Sequence, residues 1–257
     1  MQTKYPILLV HGIVLKDGRI IKAFGKIGKK LKEQGYCVYI GKHDGFGTIE
    51  NNAQQLRNQI QDILARENVE KVNLIAHSKG GLDCKYLIHE LGMEDSVASL
   101  TTLCTPHKGS PVASRIMKLP NFLLKFVAFW INFWYRIFGD KHPDAYWVCK
   151  ELQRHDNAEQ MPFSDKVYCQ SYSTTINKVR DDFVMGIPLV FSRYCEKSET
   201  DGLVPVDSTV FENYKGNCTD DSVSHSQIVD FMVRKKKREK IYSFYYAICQ
   251  DLADMGF

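Results

Sequence analysis

The eight cysteines include no C-x-x-C pair, and no Cys/His cluster has ligand spacing, which excludes a zinc ribbon or a dithiol redox centre. Charge of one sign is scarce as well. Lys and Arg exceed Asp and Glu by only 34 to 30, and a net +4 is too small for a nucleic-acid binder. There is no internal repeat and no low-complexity linker, which leaves no sign of a solenoid or a string of modules. The longest apolar run, Leu119–Phe138, is interrupted by Asn121, Lys125, Asn132 and Arg136, which argues against a transmembrane span. No signal peptide precedes the first strand at about Tyr5, and Cys37, Cys104 and Cys169 lie singly in apolar runs, as reduced core thiols do. A cytoplasmic location is therefore expected, with a secreted form whose leader has been removed as the alternative.

What is present is the composition of a globular domain. With 44% hydrophobic and 25% charged residues over 257 positions, the chain can bury a sizeable core. Tyr5–Val10 is a continuous apolar run of the kind found in a parallel strand covered on both faces. A helix is expected over Arg19–Gln34, closed by Gly35, and a strand over Cys37–Ile40. Thr48 is placed to cap a helix over Ile49–Glu67. Strands follow at Val72–Ala76 and Ser99–Cys104, and two more are expected at Lys166–Tyr172 and Pro188–Cys195. A last helix covers Ile228–Asp251. Alternating strands and helices predict an α/β fold, a mostly parallel sheet flanked by helices. The simplest parse is one domain over 1–257 with a helical lid or cap inserted at 111–162.

The chemistry concentrates around one turn. Val72–Ala76 ends abruptly in His77-Ser78-Lys79-Gly80-Gly81, and helix-compatible sequence follows. A serine flanked two residues away by Ala76 and Gly80 matches a nucleophile elbow, where strand and helix come so close that only tiny side chains fit. A hydroxyl needs an imidazole to take its proton and a carboxylate to hold that imidazole. Acids at suitable positions after Ser78 are Asp181, Asp182, Asp201 and Asp207. Asp201, in a Gly-containing turn read as following a strand, suits best, and His225 is the one histidine after it. His77 and His107 precede any plausible acid and read as structural.

Leu119–Phe138 carries five Phe and two Trp, and its four polar residues line one narrow helical stripe. That pattern predicts an amphipathic lid over the serine, opening at a lipid surface that receives Phe122, Phe126, Phe129, Trp130 and Phe133. A buried core helix is the plainer reading. The basic run Arg234–Lys240 reads either as an attractor of anionic lipid or as a solvated helix face.

The stretches YPILLVHG, LIAHSKGGLD, LTTLCTPHKGSPVA and TDGLVPVDS and the His225 loop resemble the bacterial triacylglycerol lipases of the α/β-hydrolase fold, over about residues 5–230. The resemblance implies a lipase or esterase acting on lipid esters, with Ser78 as nucleophile, Asp201 as acid and His225 as base. It also implies an oxyanion hole from the backbone N–H groups of Ile13 and Lys79, whose side chains are then not expected to matter. A phospholipase, thioesterase or acyltransferase would use the same triad, and a non-catalytic lipid-binding module would keep the fold without it. No cofactor is expected. The larger lipase families often hold a structural calcium through an aspartate two residues after the catalytic histidine, and Gln227 stands there.

Overall fold

Every strand of the central sheet runs parallel to its neighbours, which forces each connection to cross a face of the sheet and covers both faces. The computed structural model describes residues 2–13, 22–154, 163–195 and 198–257. In chain order the elements are β1 (Ile7–Val10), α1 (Ile27–Glu33), β2 (Val38–Ile40), α2 (Ile49–Glu67), β3 (Val72–His77), α3 (Lys79–His89) and β4 (Val97–Leu103). Then come α4 (Pro111–Ile116), α5 (Asn121–Ile137), α6 (Ala145–Glu151), β5 (Tyr168–Ser173), α7 (Phe183–Cys195), α8 (Val206–Thr209), β6 (Asn213–Asn217) and α9 (Lys235–Asp254). Strand order is β2-β1-β3-β4-β5-β6.

The period-2 alternation of a strand divides β1 between two cores. Ile7 and Leu9 pack with Ile27 and Leu31 of α1 and with Ile241, Tyr245 and Ile248 of α9. Leu8 and Val10 face the opposite core, with Leu56 and Ile60 of α2 and Leu87 of α3. Each such buried Leu or Ile contributes about 1.5–3 kcal/mol relative to exposure. Thr48 caps α2 as its position suggests, its Oγ1 accepting from Asn51 N at 3.3 Å. Asn68, left-handed at φ 51°, ends that helix.

Two expectations are corrected, and one strand was not foreseen. Pro188–Cys195 is not a strand but part of helix α7. A short apolar run has no period that separates strand from buried helix, and Pro188 lies inside the helix despite the ladder bond it forgoes. The edge strand β6, NYKGN, was invisible as a strand because nothing in it is apolar except one Tyr. The first helix begins at Ile27 rather than Arg19, and residues 19–21 of the expected helix lie outside the described residues. Residues 155–162, the end of the expected insertion, lie outside them too.

Candidate active site

Ser78 sits at the β3–α3 junction with φ 55° and ψ −132°, a conformation costly for a residue with a Cβ. The surroundings hold it there. Its N–H donates to Leu103 O at 2.9 Å, and a Cβ on Gly80 would overlap the His11 carbonyl oxygen. A Cβ on Gly12 would lie 2.7 Å from Ser78 Cβ, so the His11–Ile13 loop passes directly against the serine. Ile13 lines the cavity in front of Ser78, and Lys79 is the first residue of α3.

His225 and Asp201 reach Ser78 from loops after α7 and β6. His225 Nε2 lies 2.9 Å from Ser78 Oγ, and Nδ1 lies 2.6 Å from Asp201 Oδ2. Asp201 Oδ1 accepts from the backbone N–H groups of Leu203 at 2.9 Å and Val204 at 2.8 Å. A carboxylate only accepts, so the hydrogen bond to Asp201 places the imidazole proton on Nδ1. Nε2 is then an acceptor facing the serine hydroxyl. The His225 N–H also donates to Asp201 O at 3.0 Å, which ties the two loops together. The other acids are committed elsewhere: Asp182 Oδ2 accepts from Ser226 Oγ at 2.8 Å and from Ser224 Oγ, and Asp207 pairs with Arg154 at 2.5 Å. Asp181 accepts from Ser222 Oγ at 2.9 Å. Asp201 follows α7 rather than a strand.

His77 lies beside this trio, its ring centre 4.6 Å from that of His225. Burial, and then the neighbouring His225, push its pKa well below the usual imidazole range, so it stays neutral. His107 is likewise held neutral by burial, stacked 4.4 Å from Phe211.

One prominent pair was not expected. The Lys79 side chain is buried against Asp83, Nζ to Oδ1 2.6 Å, behind the elbow. Burial lifts the Asp83 carboxyl to about 6, even against the pull of the Lys79 ammonium and the hydrogen bond from Asn52. His43 Nε2 lies 3.9 Å from Asp83 Oδ2, donates to His11 O at 2.9 Å and stacks on the His11 ring at 3.8 Å. The Lys79 side chain is thus paired within α3, and His43 stands between that pair and the His11 carbonyl. The signal was available, since Lys79 and Asp83 stand at i and i+4.

The serine opens into a cavity of about 400 Å³ with predominantly apolar walls. Val112 and Ile116 of α4, Cys149 of α6, and Val184 and Met185 of α7 line it. The five aromatic residues expected to cover the serine are not there. Phe122, Phe126, Phe129, Trp130 and Phe133 are exposed, Phe122 by 78% and Phe129 by 62%, and none of them lines the cavity. The face that α5 turns inward is the stripe Leu124, Ala128, Ile131, Asn132 and Tyr135, recurring at helical spacing. Asn132 Oδ1 accepts from Ala145 N at 2.8 Å, and Tyr135 packs edge-on against the cavity residue Phe46 at 4.6 Å. Asn132, one of the four residues of the polar stripe, is thus an inward anchor.

Among the described residues, one group has metal-ligand spacing: Cys104, Asp201 and His225, with ligand atoms within 4.8 Å. It does not fit a metal. His225 and Asp201 are bonded to each other, and burial, then the Asp201 charge, drive the Cys104 thiol well above its usual pKa. A calcium at Gln227 fits no better. Its Oε1 accepts from the Lys237 ammonium at 3.1 Å and its Nε2 donates to Asp181 O at 2.9 Å. A divalent cation would face an ammonium there. Activity and melting temperature are expected to be unchanged by EDTA. A fall of many degrees that calcium reverses would contradict this.

Fold and site together define an α/β-hydrolase of the serine lipase and esterase class. The chain belongs to the palmitoyl protein thioesterase family, whose profile matches residues 6–231. Triacylglycerol lipase 2 of Saccharomyces cerevisiae is 28% identical over 90% of this chain and 73% of its own length. A triacylglycerol lipase of Vibrio cholerae is 37% identical over 116 residues, 45% of this chain but only 36% of the lipase. The crystal structure of Staphylococcus hyicus lipase superposes with a TM-score of 0.70 at 14% identity, covering 98% of this chain and 96% of that one.

Proposed function

We propose that this protein hydrolyses carboxylic esters of long acyl chains, acylglycerols foremost, through an acyl-enzyme on Ser78. The observation that carries this is the Ser78–His225–Asp201 relay, 2.9 and 2.6 Å, opening into the apolar cavity. Ser78 Oγ attacks the carbonyl carbon while its proton passes to His225 Nε2. Asp201 stabilises the imidazolium that results. The oxyanion is met by the N–H groups of Ile13 and Lys79 at the start of α3, where the helix dipole also favours negative charge. The C–O bond to the alcohol breaks, and His225 returns the proton to the leaving oxygen. A water then repeats the sequence and frees the acid. Labelling by a fluorophosphonate probe, lost in Ser78→Ala, tests the nucleophile. A screen of p-nitrophenyl esters and triglycerides of graded length tests the substrate. No labelling and no hydrolysis at any length would leave only a lipid-binding module.

A second reading has one specific observation in its favour. The family profile names palmitoyl thioesters, and the same relay would expel a thiolate from a long-chain thioester. Comparing a palmitoyl thioester with p-nitrophenyl palmitate at equal concentration separates the two.

The exposed aromatic side of α5 fits an anionic lipid surface as the place where substrate is met. No carboxylate side chain occurs between Asp95 and Asp140, while Lys108, Arg115, Lys118, Lys125 and Arg136 do. Among the described residues no helix is long and apolar enough to cross a membrane. On this reading the aromatic face lies along the lipid surface. Replacing Phe129 and Trp130 with serine is expected to lower hydrolysis of substrate in anionic vesicles severalfold and leave a short soluble ester unaffected. Equal loss on both substrates would mean that the helix supports the fold alone.

A further inference from the structure

The run Arg234–Lys240 enters α9 with six basic residues out of seven. Three of them have partners within the chain. Arg238 Nε pairs with Asp230 Oδ1 at 2.6 Å and Lys240 Nζ with Asp221 Oδ2 at 2.7 Å. Lys237 does something different. Its Nζ donates to two neutral oxygens, the Ser222 carbonyl at 2.5 Å and Gln227 Oε1 at 3.1 Å.

Those two oxygens bracket His225, one three residues before it and one two residues after. The same segment is fastened on its other side. Ser222 Oγ donates to Asp181 Oδ2 at 2.9 Å, Gln227 Nε2 to Asp181 O at 2.9 Å, and Ser226 Oγ to Asp182 Oδ2 at 2.8 Å. Although some burial works against it, the Ser222 hydrogen bond, the Lys178 N–H and the Lys237 charge hold the Asp181 carboxyl below its usual range. The ammonium thus sits among a main-chain carbonyl, an amide oxygen and a nearby carboxylate. That is a donor set of the type a hard cation selects. Its position also runs against helix electrostatics. A lysine in the first turn of α9 stands at the positive end of the dipole and gains nothing from the helix itself.

We infer that Lys237 is a positioning residue whose ammonium acts as a built-in cation, clamping the loop that carries His225. This rests on His225 being the base. The clamp joins the last helix to both flanks of a residue that must be held within a fraction of an ångström of Ser78. A side chain that misplaces a base by an ångström costs rate rather than affinity.

The test uses the full chain and a short soluble p-nitrophenyl ester. Lys237→Met is expected to lower kcat on the order of tenfold to a hundredfold, with KM changed less than twofold. Lys237→Arg, which keeps the cation, should restore most of the rate. The double variant Lys237→Met, Gln227→Asp puts a carboxylate beside Asp181 and removes the ammonium, so added calcium should raise its kcat and melting temperature. The unmodified protein should not respond to calcium. The inference is overturned if Lys237→Met keeps the original kcat. It is equally overturned if the Met and Arg variants lose rate and melting temperature alike while calcium leaves the double variant unchanged. Should Lys237→Met be insoluble, Lys237→Gln and the double variant refolded with calcium give the same readout. His225→Ala, measured alongside, separates the two layers of the argument. Near-full activity there refutes the base assignment itself. Loss there together with an intact Lys237→Met refutes the clamp alone.

Discussion

Replacing Ser78 with alanine is expected to lower kcat by on the order of a million-fold, the scale seen when a serine triad loses its nucleophile. His225→Ala should cost about as much, since without an acceptor at Nε2 the hydroxyl keeps its proton. Asp201→Asn leaves the geometry but favours the wrong tautomer of His225, and a loss of around 10⁴-fold is expected. The relay distances of 2.9 and 2.6 Å support this order of effects. Asp182→Asn is the informative control, because Asp182 accepts from Ser226 Oγ on the same loop without touching the imidazole of His225. It should retain far more activity than Asp201→Asn. Initial rates on a soluble ester, with circular dichroism to confirm folding, decide the matter. If His107→Ala silenced the protein and His225→Ala did not, the assignment of the base would be wrong.

The second large effect concerns a glycine. Gly80→Ala is expected to destabilise the protein by about 3 kcal/mol, the upper end of what overpacking costs. The added methyl would meet the His11 carbonyl oxygen and would lie 2.9 Å from Val10 O. Both are main-chain atoms at or just past the end of β1, a strand paired on both sides, with little room to retreat. For a chain of this size the melting temperature should fall by roughly 6–12 °C, and hydrolysis should fall with it as the His11–Ile13 loop is pushed aside. Gly92→Ala provides the contrast. A Cβ there meets nothing within 4 Å, so only its positive φ of 62° is at stake, worth roughly 1–2 kcal/mol. Equal melting temperatures for the two variants would show that the elbow has room not apparent in the structure.

The parts of this site that could be read in the sequence are those written in local, one-dimensional terms. A strand ending in His77-Ser78-Lys79-Gly80 reads as an elbow or as an ordinary β–α turn, with the stretches downstream favouring the first, and Tyr5–Val10 running into His11-Gly12 reads as a buried parallel strand. His225 was reachable by elimination, as the one histidine after the acids. What could not be read depends on which way an element faces. The aromatic wealth of α5 suggested a cover for the serine, yet helical spacing says only that a face exists. Ala128 and Asn132, small and polar, turned out to mark the inner side. Pro188–Cys195 is apolar enough for either a strand or a helix. Lys237 was hidden in a run of like charges, and only its distances to Ser222 and Gln227 set it apart.

The order β2-β1-β3-β4-β5-β6 bears on how the molecule is made. β3 docks on β1, and from β4 onward each strand to leave the ribosome docks on the edge formed by the one before it, so the sheet can lengthen in one direction as synthesis proceeds. Ser78 is in place after less than a third of the chain. The loop bearing His225 comes more than a hundred residues later, and Lys237 of α9 later still. A nascent chain would carry its nucleophile through the synthesis of β4, β5 and β6 with no base to activate it, and would become competent only when α9 closes over the finished sheet.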